Sequence, residues 1–133
     1  MARQKELKIK PLDLAKKAAQ VADSKKSQDV LILDLRKLSS VTDFFVICGS
    51  ESVLGVKAIA EAILLKLKEE KITPNHVEGL DEGNWVLADY GDVIVHVFLE
   101  RVRTYYDLES LWGDAPRKNF RPRARKKVSG KKT

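Results

Sequence analysis

Residues 44–67 read FFVICGSESVLGVKAIAEAILLKL, and they decide the fold class. The first part, FFVIC at 44–48, is an apolar run of strand length that continues through Gly49, the pattern of a strand covered on both faces. The period then changes. Val56, Ile59, Ala60, Ile63, Leu64 and Leu67 fall on one side of a helix, and Ser50 or Ser52 stands where its N-cap belongs. A buried strand feeding an amphipathic helix points to an α/β protein.

Working outward, VLILDL at 30–35 is a second nearly unbroken aliphatic run, which places it centrally in the same sheet. Before it, Pro11 opens a helix carrying Leu14, Ala18, Val21 and Ala22 at helical spacing and ending around residues 22–24. After Pro74 the chain turns to strands: HVE at 76–78, WVLADY at 85–90 and VIVHVFL at 93–99. Only Gly91 and Asp92 separate the last two, which predicts a tight antiparallel hairpin. A closing helix with Val102, Tyr105, Leu108 and Trp112 as its apolar stripe is stopped by Gly113 and Pro116. The expected fold is a single α/β domain, a mixed β-sheet packed by helices.

The chain has 133 residues, one domain's worth, and 44% of them are hydrophobic. Its net charge of +6 is unevenly spread. Residues 117–133, RKNFRPRARKKVSGKKT, hold nine bases and no acid, and residues 1–10 hold four bases and one acid. Residues 11–116 are left with 12 bases and 18 acids, so the body is acidic. The expected division is a basic N-terminal segment over 1–10, a domain over 11–116 and a disordered basic tail over 117–133, whose composition cannot bury enough surface to offset ordering.

Composition also excludes classes of function. The single cysteine, Cys48, permits no internal disulfide, and with His76 and His96 it offers no zinc-ligand spacing, so no metal is expected. No apolar run approaches the roughly 20 residues of a membrane span, and the N-terminus lacks a signal peptide's apolar core. The expected location is the cytoplasm. A nucleic-acid-binding module would account for the overall basicity, yet an acidic body is a poor phosphate-binding face.

No catalytic constellation emerges. Asp34 and Asp43 at strand boundaries read as capping residues more readily than as paired acids. His96 lies in an alternating strand opposite no evident partner, and Cys48 reads as an inert buried thiol. Gly49-Ser50 before a helix resembles the opening of a nucleotidyltransferase site, but GSESVLG is no phosphate-loop motif. The carboxylate pair at i and i+2 on a neighbouring strand that would hold magnesium is missing, and Asp89 and Asp107 stand without a strand partner of the DxD kind. No cofactor is expected.

A surface reading remains. EGLDEGNWVLADYGD at 78–92 places five acids, Trp85 and Tyr90 within fifteen positions. Aromatic residues beside carboxylates on a rigid edge suit an interface for a basic protein. The alternative is that Trp85 covers the sheet and the acids solvate it; physics alone leaves both open.

Three stretches, VTDFFVICGS at 41–50, HVEGLDEGNWVLADYGDVIVHVF at 76–98 and RTYYDLESLWGDAP at 103–116, closely resemble the ribosomal silencing factor family, also known as the Iojap family. The resemblance covers roughly residues 11–116. It implies a domain related in fold to nucleotidyltransferases without their catalytic acids. It further implies a non-enzymatic role: binding a protein on the intersubunit face of the large ribosomal subunit, blocking the small subunit sterically and repressing translation under nutrient limitation. Matched to the family motifs, Thr42, Asp43, His76, Glu78, Trp85, Asp89, Tyr90 and Asp92 are the candidate partner-binding residues. The basic terminal extension lies outside the family motifs. Its Arg117, Lys118, Arg121, Arg123, Arg125, Lys126 and Lys127 are expected to add contacts to rRNA phosphate. The free protein is also a candidate homodimer.

Overall fold

The computed structural model describes residues 9–120. They form one six-stranded mixed sheet with helices packed on it. In chain order the elements are α1 (Pro11–Ser24), β1 (Gln28–Asp34), β2 (Phe44–Ser50), α2 (Val53–Glu69), β3 (His76–Glu78), β4 (Trp85–Asp89), β5 (Val93–Leu99), α3 (Glu100–Tyr106), α4 (Leu108–Leu111) and β6 (Arg117–Asn119). The sheet runs β3-β4-β5-β2-β1-β6, and within it β2 and β5 are parallel while the other neighbours are antiparallel.

The unbroken apolar runs have the expected cause: alternate residues of each inner strand enter different cores. On one side, Val30, Ile32, Val46, Cys48, Val95 and Val97 meet α1 and α2. On the other, Leu31, Leu33, Ile47 and Phe98 meet Leu108, Trp112 and Ala115. Gly49 permits the close approach of β2 to β5, because a Cβ there would overlap the Phe98 carbonyl oxygen. Ser52 caps α2, its Oγ accepting the Gly55 N–H at 3.0 Å. The α2 stripe is as expected, with Val56, Ile59, Ala60, Ile63 and Leu67 buried and Leu64 packed at the margin. In α1 the buried stripe is Leu14, Ala15, Ala18, Ala19 and Ala22, so Val21 sits at its edge. Small side chains are what a helix needs to lie close against both α2 and the sheet.

Three expectations are corrected. The domain does not stop at Pro116: Leu31, Ile32 and Leu33 pair with Asn119, Lys118 and Arg117, and Phe120 N–H donates to the Val30 carbonyl at 2.9 Å. Arg117 and Lys118 therefore belong to an edge strand, while 121–133, like 1–8 of the N-terminal segment, lie outside the described residues. An exposed edge strand is held by backbone hydrogen bonds, so its polar side chains carry no strand pattern. Second, β1 is shielded by β6 alone, and the centre of the sheet is the parallel β2–β5 pair. Third, the closing helix is two helices. Asp107 adopts a left-handed conformation (φ 47°, ψ 55°) between α3 and α4, which swings Leu108 and Trp112 onto the sheet and leaves Tyr105 80% exposed.

The β4–β5 hairpin forms as expected. Gly91 (φ 87°) takes the positive-φ position, and Tyr90 N–H donates to the Val93 carbonyl at 2.9 Å.

Candidate functional site

Strand register determines which side chains share a face. Opposite residues on paired strands project to the same side. One row therefore runs Glu78, Leu87, His96, Ile47, Leu31; the next runs His76, Asp89, Ile94, Phe45, Leu33; Trp85 stands opposite Phe98. This is the side away from α1 and α2. Over β1 and β2 it is covered by Leu108 and Trp112, with Trp112 edge-on to Phe45 at a centroid distance of 6.0 Å. Toward β3 the cover thins: Trp85, Leu87 and Ile94 remain only half-buried, and His76 and Glu78 are exposed.

Trp85 is the most constrained member of this open half. Its ring lies 4.8 Å from Phe98 and 5.0 Å from Tyr106, and its Nε1–H donates to Nδ1 of His96 at 3.1 Å. His96 is 4% exposed, and burial pushes its imidazole pKa down to about 4, so the ring is neutral at physiological pH. The partner that the sequence did not disclose for His96 is thus Trp85, which stands opposite Phe98 two pairs along the same ladder and so on the same face.

The rim is acidic. Glu78 Oε2 lies 2.6 Å from His76 Nε2. Asp89 shares the exposed side but also braces the hairpin, its Oδ1 accepting the Gly91 N–H at 2.7 Å. At the neighbouring end of the sheet the Asp92 carbonyl accepts the N–H groups of Asp43 (2.9 Å) and Phe44 (3.0 Å), so these two acidic residues are joined through backbone.

The eight candidate residues divide accordingly. His76, Glu78, Trp85 and Asp89 come together on the open half, and Asp43 and Asp92 stand at its end. Thr42 is 4% exposed, and its Oγ1 has no hydrogen-bond partner among the described residues. Tyr90 packs against the helix-side core, and burial raises its hydroxyl to about 12. Thr42 is therefore closed off from the surface, and Tyr90 lies on the helix side of the sheet. Leu87, Ile94 and Tyr106 were not among the candidates, yet they complete the open surface, and Phe45 borders it against Trp112. The alternation of WVLAD and VIVHVFL carried the signal for Leu87 and Ile94; nothing local to the sequence carried it for Tyr106.

A separate polar cleft of about 450 Å³ lies at the other end of the sheet, between Gln28, Asp29, Arg103, Thr104, Glu109 and Asn119. Its strongest cation is already engaged, because Arg103 binds Glu109 at 2.9 Å and the Asp29 carbonyl at 2.9 Å. Cys48 is buried, and desolvation lifts its thiol to about 12, which leaves no nucleophilic thiolate. Among the described residues no three His, Cys, Asp or Glu side chains are grouped to hold a metal, and no helix is long and apolar enough to cross a membrane.

The fold and this surface define an α/β domain with one sheet face covered by helices and part of the other left open. Comparison with known proteins identifies its family. The family model for "Ribosomal silencing factor during starvation" matches residues 8–133, so it extends over the basic extension that the motifs alone had left outside. Ribosomal silencing factor RsfS of Bacillus subtilis is 48% identical over 103 residues, covering 77% of this chain and 87% of that protein. The chloroplastic protein Iojap of Zea mays is 32% identical over 104 residues, 78% of this chain and 45% of that longer protein. The crystal structure of a Chromobacterium violaceum protein superposes with a TM-score of 0.76 at 39% identity, covering 79% of this chain and 88% of that one. The chain belongs to the ribosomal silencing factor family.

Proposed function

We propose that the open half of the sheet docks on a protein at the intersubunit face of the large ribosomal subunit. The bound domain occludes the small subunit and so represses translation when nutrients are limiting. The observation that carries this reading is the composition of the surface: Trp85, Leu87 and Ile94 half-buried on a rigid sheet, bordered by the carboxylates of Glu78 and Asp89. An apolar centre with an acidic rim matches the surface of a basic ribosomal protein, with burial supplying affinity and the rim supplying orientation and encounter rate.

The action is steric. Nucleotidyl transfer would need a strand-borne pair of carboxylates at i and i+2 to hold magnesium, a motif that the sequence after Gly49-Ser50 does not carry, and in this reading the cytoplasmic protein works by occupancy and not by turnover. In this reading Glu78, Trp85, Asp89 and His76 face the partner, Asp43 and Asp92 extend the rim, and Thr42 and Tyr90 hold the surface in shape. Arg117 and Lys118 on β6, followed by Arg121, Arg123, Arg125, Lys126 and Lys127, add contacts to rRNA phosphate without choosing the subunit.

Sedimentation with separated subunits tests the reading. The protein should travel with large subunits, and adding it should lower the fraction of joined ribosomes; recovery on small subunits alone would overturn it. Incubation with labelled nucleoside triphosphates and magnesium should leave protein and RNA unlabelled.

A further inference from the structure

His96 is an expensive residue for its position. It sits in β5 between Val95 and Val97 and is 4% exposed. Indole N–H can only donate, so the 3.1 Å bond from Trp85 requires Nδ1 to be the bare nitrogen and places the ring proton on Nε2. That Nε2 is buried and has no hydrogen-bond partner among the described residues. The imidazole thus satisfies one nitrogen at the cost of desolvating the other, where a leucine or phenylalanine would cost nothing of the kind. Stability of the core does not account for it.

What the imidazole does supply is direction for Trp85. Stacking on Phe98 (4.8 Å, 32° between planes) and contact with Tyr106 (5.0 Å, 45°) hold the plane of the indole. Both contacts restrain the ring through its packed area alone. The bond to Nδ1 adds a directional restraint, because it forms only while Nε1–H points at His96.

We propose that His96 is the positioning residue of the docking surface: by accepting the Trp85 indole N–H it locks that side chain, before any partner arrives, in the one orientation that binds. The proposal rests on the reading that Trp85 lies in the ribosome-binding face. His96 itself touches no partner; it acts by ordering the anchor in advance, which is where affinity is lost when an interface side chain is free to rotate.

The test uses the full chain labelled with ¹⁵N-tryptophan, with Trp112→Phe to assign the two indole signals, and binding to purified bacterial large ribosomal subunits. In His96→Phe the Trp85 indole proton should move upfield and exchange faster with solvent. Affinity should fall about tenfold while the melting temperature stays equal or rises. In His96→Gln, whose side-chain carbonyl can accept the same N–H, both the signal and part of the affinity should return. Unchanged affinity in His96→Phe despite a shifted indole signal overturns the proposal. So does a loss of affinity that tracks a fallen melting temperature and is not restored by glutamine. If Trp85→Ala binds large subunits as tightly as the parent chain, the docking reading fails, and the proposal with it. Loss in Trp85→Ala without loss in His96→Phe overturns the proposal alone.

Discussion

Arg103 and Glu109 form an ion pair of 2.9 Å that closes the turn between α3 and α4 onto the start of β1. The two side chains are 13% and 21% exposed, and the same guanidinium reaches the carbonyl oxygens of Gln28 and Asp29 where β1 leaves regular register. One arginine therefore ties the adjoining helices α3 and α4 to the start of β1, which is distant in sequence. Removing it strands a partly buried carboxylate and two carbonyls. Arg103→Met should cost about 2 kcal/mol, a fall in melting temperature of roughly 8 °C for a domain of this size. Calorimetry measures it; a change within one degree would mean that α3 and α4 are held by Leu108 and Trp112 alone.

Trp85 and Tyr90 belong to opposite sides of the sheet, so their truncation should separate binding from stability. Trp85→Ala should weaken large-subunit binding by about 2 kcal/mol, or roughly 30-fold, with a smaller effect on melting. Tyr90→Ala removes a ring packed against the helix-side core and should destabilise by about 3 kcal/mol. Its binding loss should not exceed the fraction unfolded. Affinity and melting temperature measured on both variants decide the matter, and a binding defect in folded Tyr90→Ala would move that residue into the interface.

Acid sensitivity should come from His96. Its pKa is lowered in the folded state to about 4 from an ordinary value near 6.5, so the unfolded chain takes up the proton first. The associated stability is complete above about pH 6.5 and is lost as pH falls from there toward 4, amounting to about 3 kcal/mol over the window. Asp34, held below its usual value by Arg36, acts in the same direction only at still lower pH. Denaturant midpoints between pH 7 and 4 should fall in the parent chain and flatten in His96→Phe. Parallel curves would assign the acid loss to another group.

Two truncations distinguish the roles of the basic end. Ending the chain after Phe120 keeps β6, so melting should be unchanged while ribosome binding weakens and becomes less salt-sensitive, by a log–log slope of about 0.7–0.9 for each phosphate no longer neutralised. Ending it after Pro116 removes β6 and leaves β1, with its Leu31-Ile32-Leu33 run, as the sheet edge. That variant should melt lower and self-associate. Equal behaviour of the two would deny β6 a protective part.

Much of the architecture is encoded locally. The apolar run at 44–50 and the six-position stripe of α2 specify a strand and a helix without help from the rest of the chain, because burial on two faces and on one face leave different periods. Gly91-Asp92 likewise specifies the hairpin, since few residues accept the backbone that a two-residue turn demands. The charge of the ends and the lack of a catalytic motif also follow from composition and spacing.

Other features depend on which segments meet. β6 is three polar residues whose strand character comes from the free edge of β1 and not from their own preferences. The break at Asp107 is set by where Leu108 and Trp112 find apolar surface across the sheet. Tyr90 and Trp85 are both aromatic residues of one acid-rich stretch, and only the register of β4 sends Trp85 to the open face. The bond between Trp85 and His96 joins residues 11 positions apart, across a ladder whose alignment is set by the whole hairpin. Periodicity states how many faces of an element are covered; tertiary register states by whom, because neighbours across a sheet are chosen by hydrogen-bond alignment between strands and not by sequence distance.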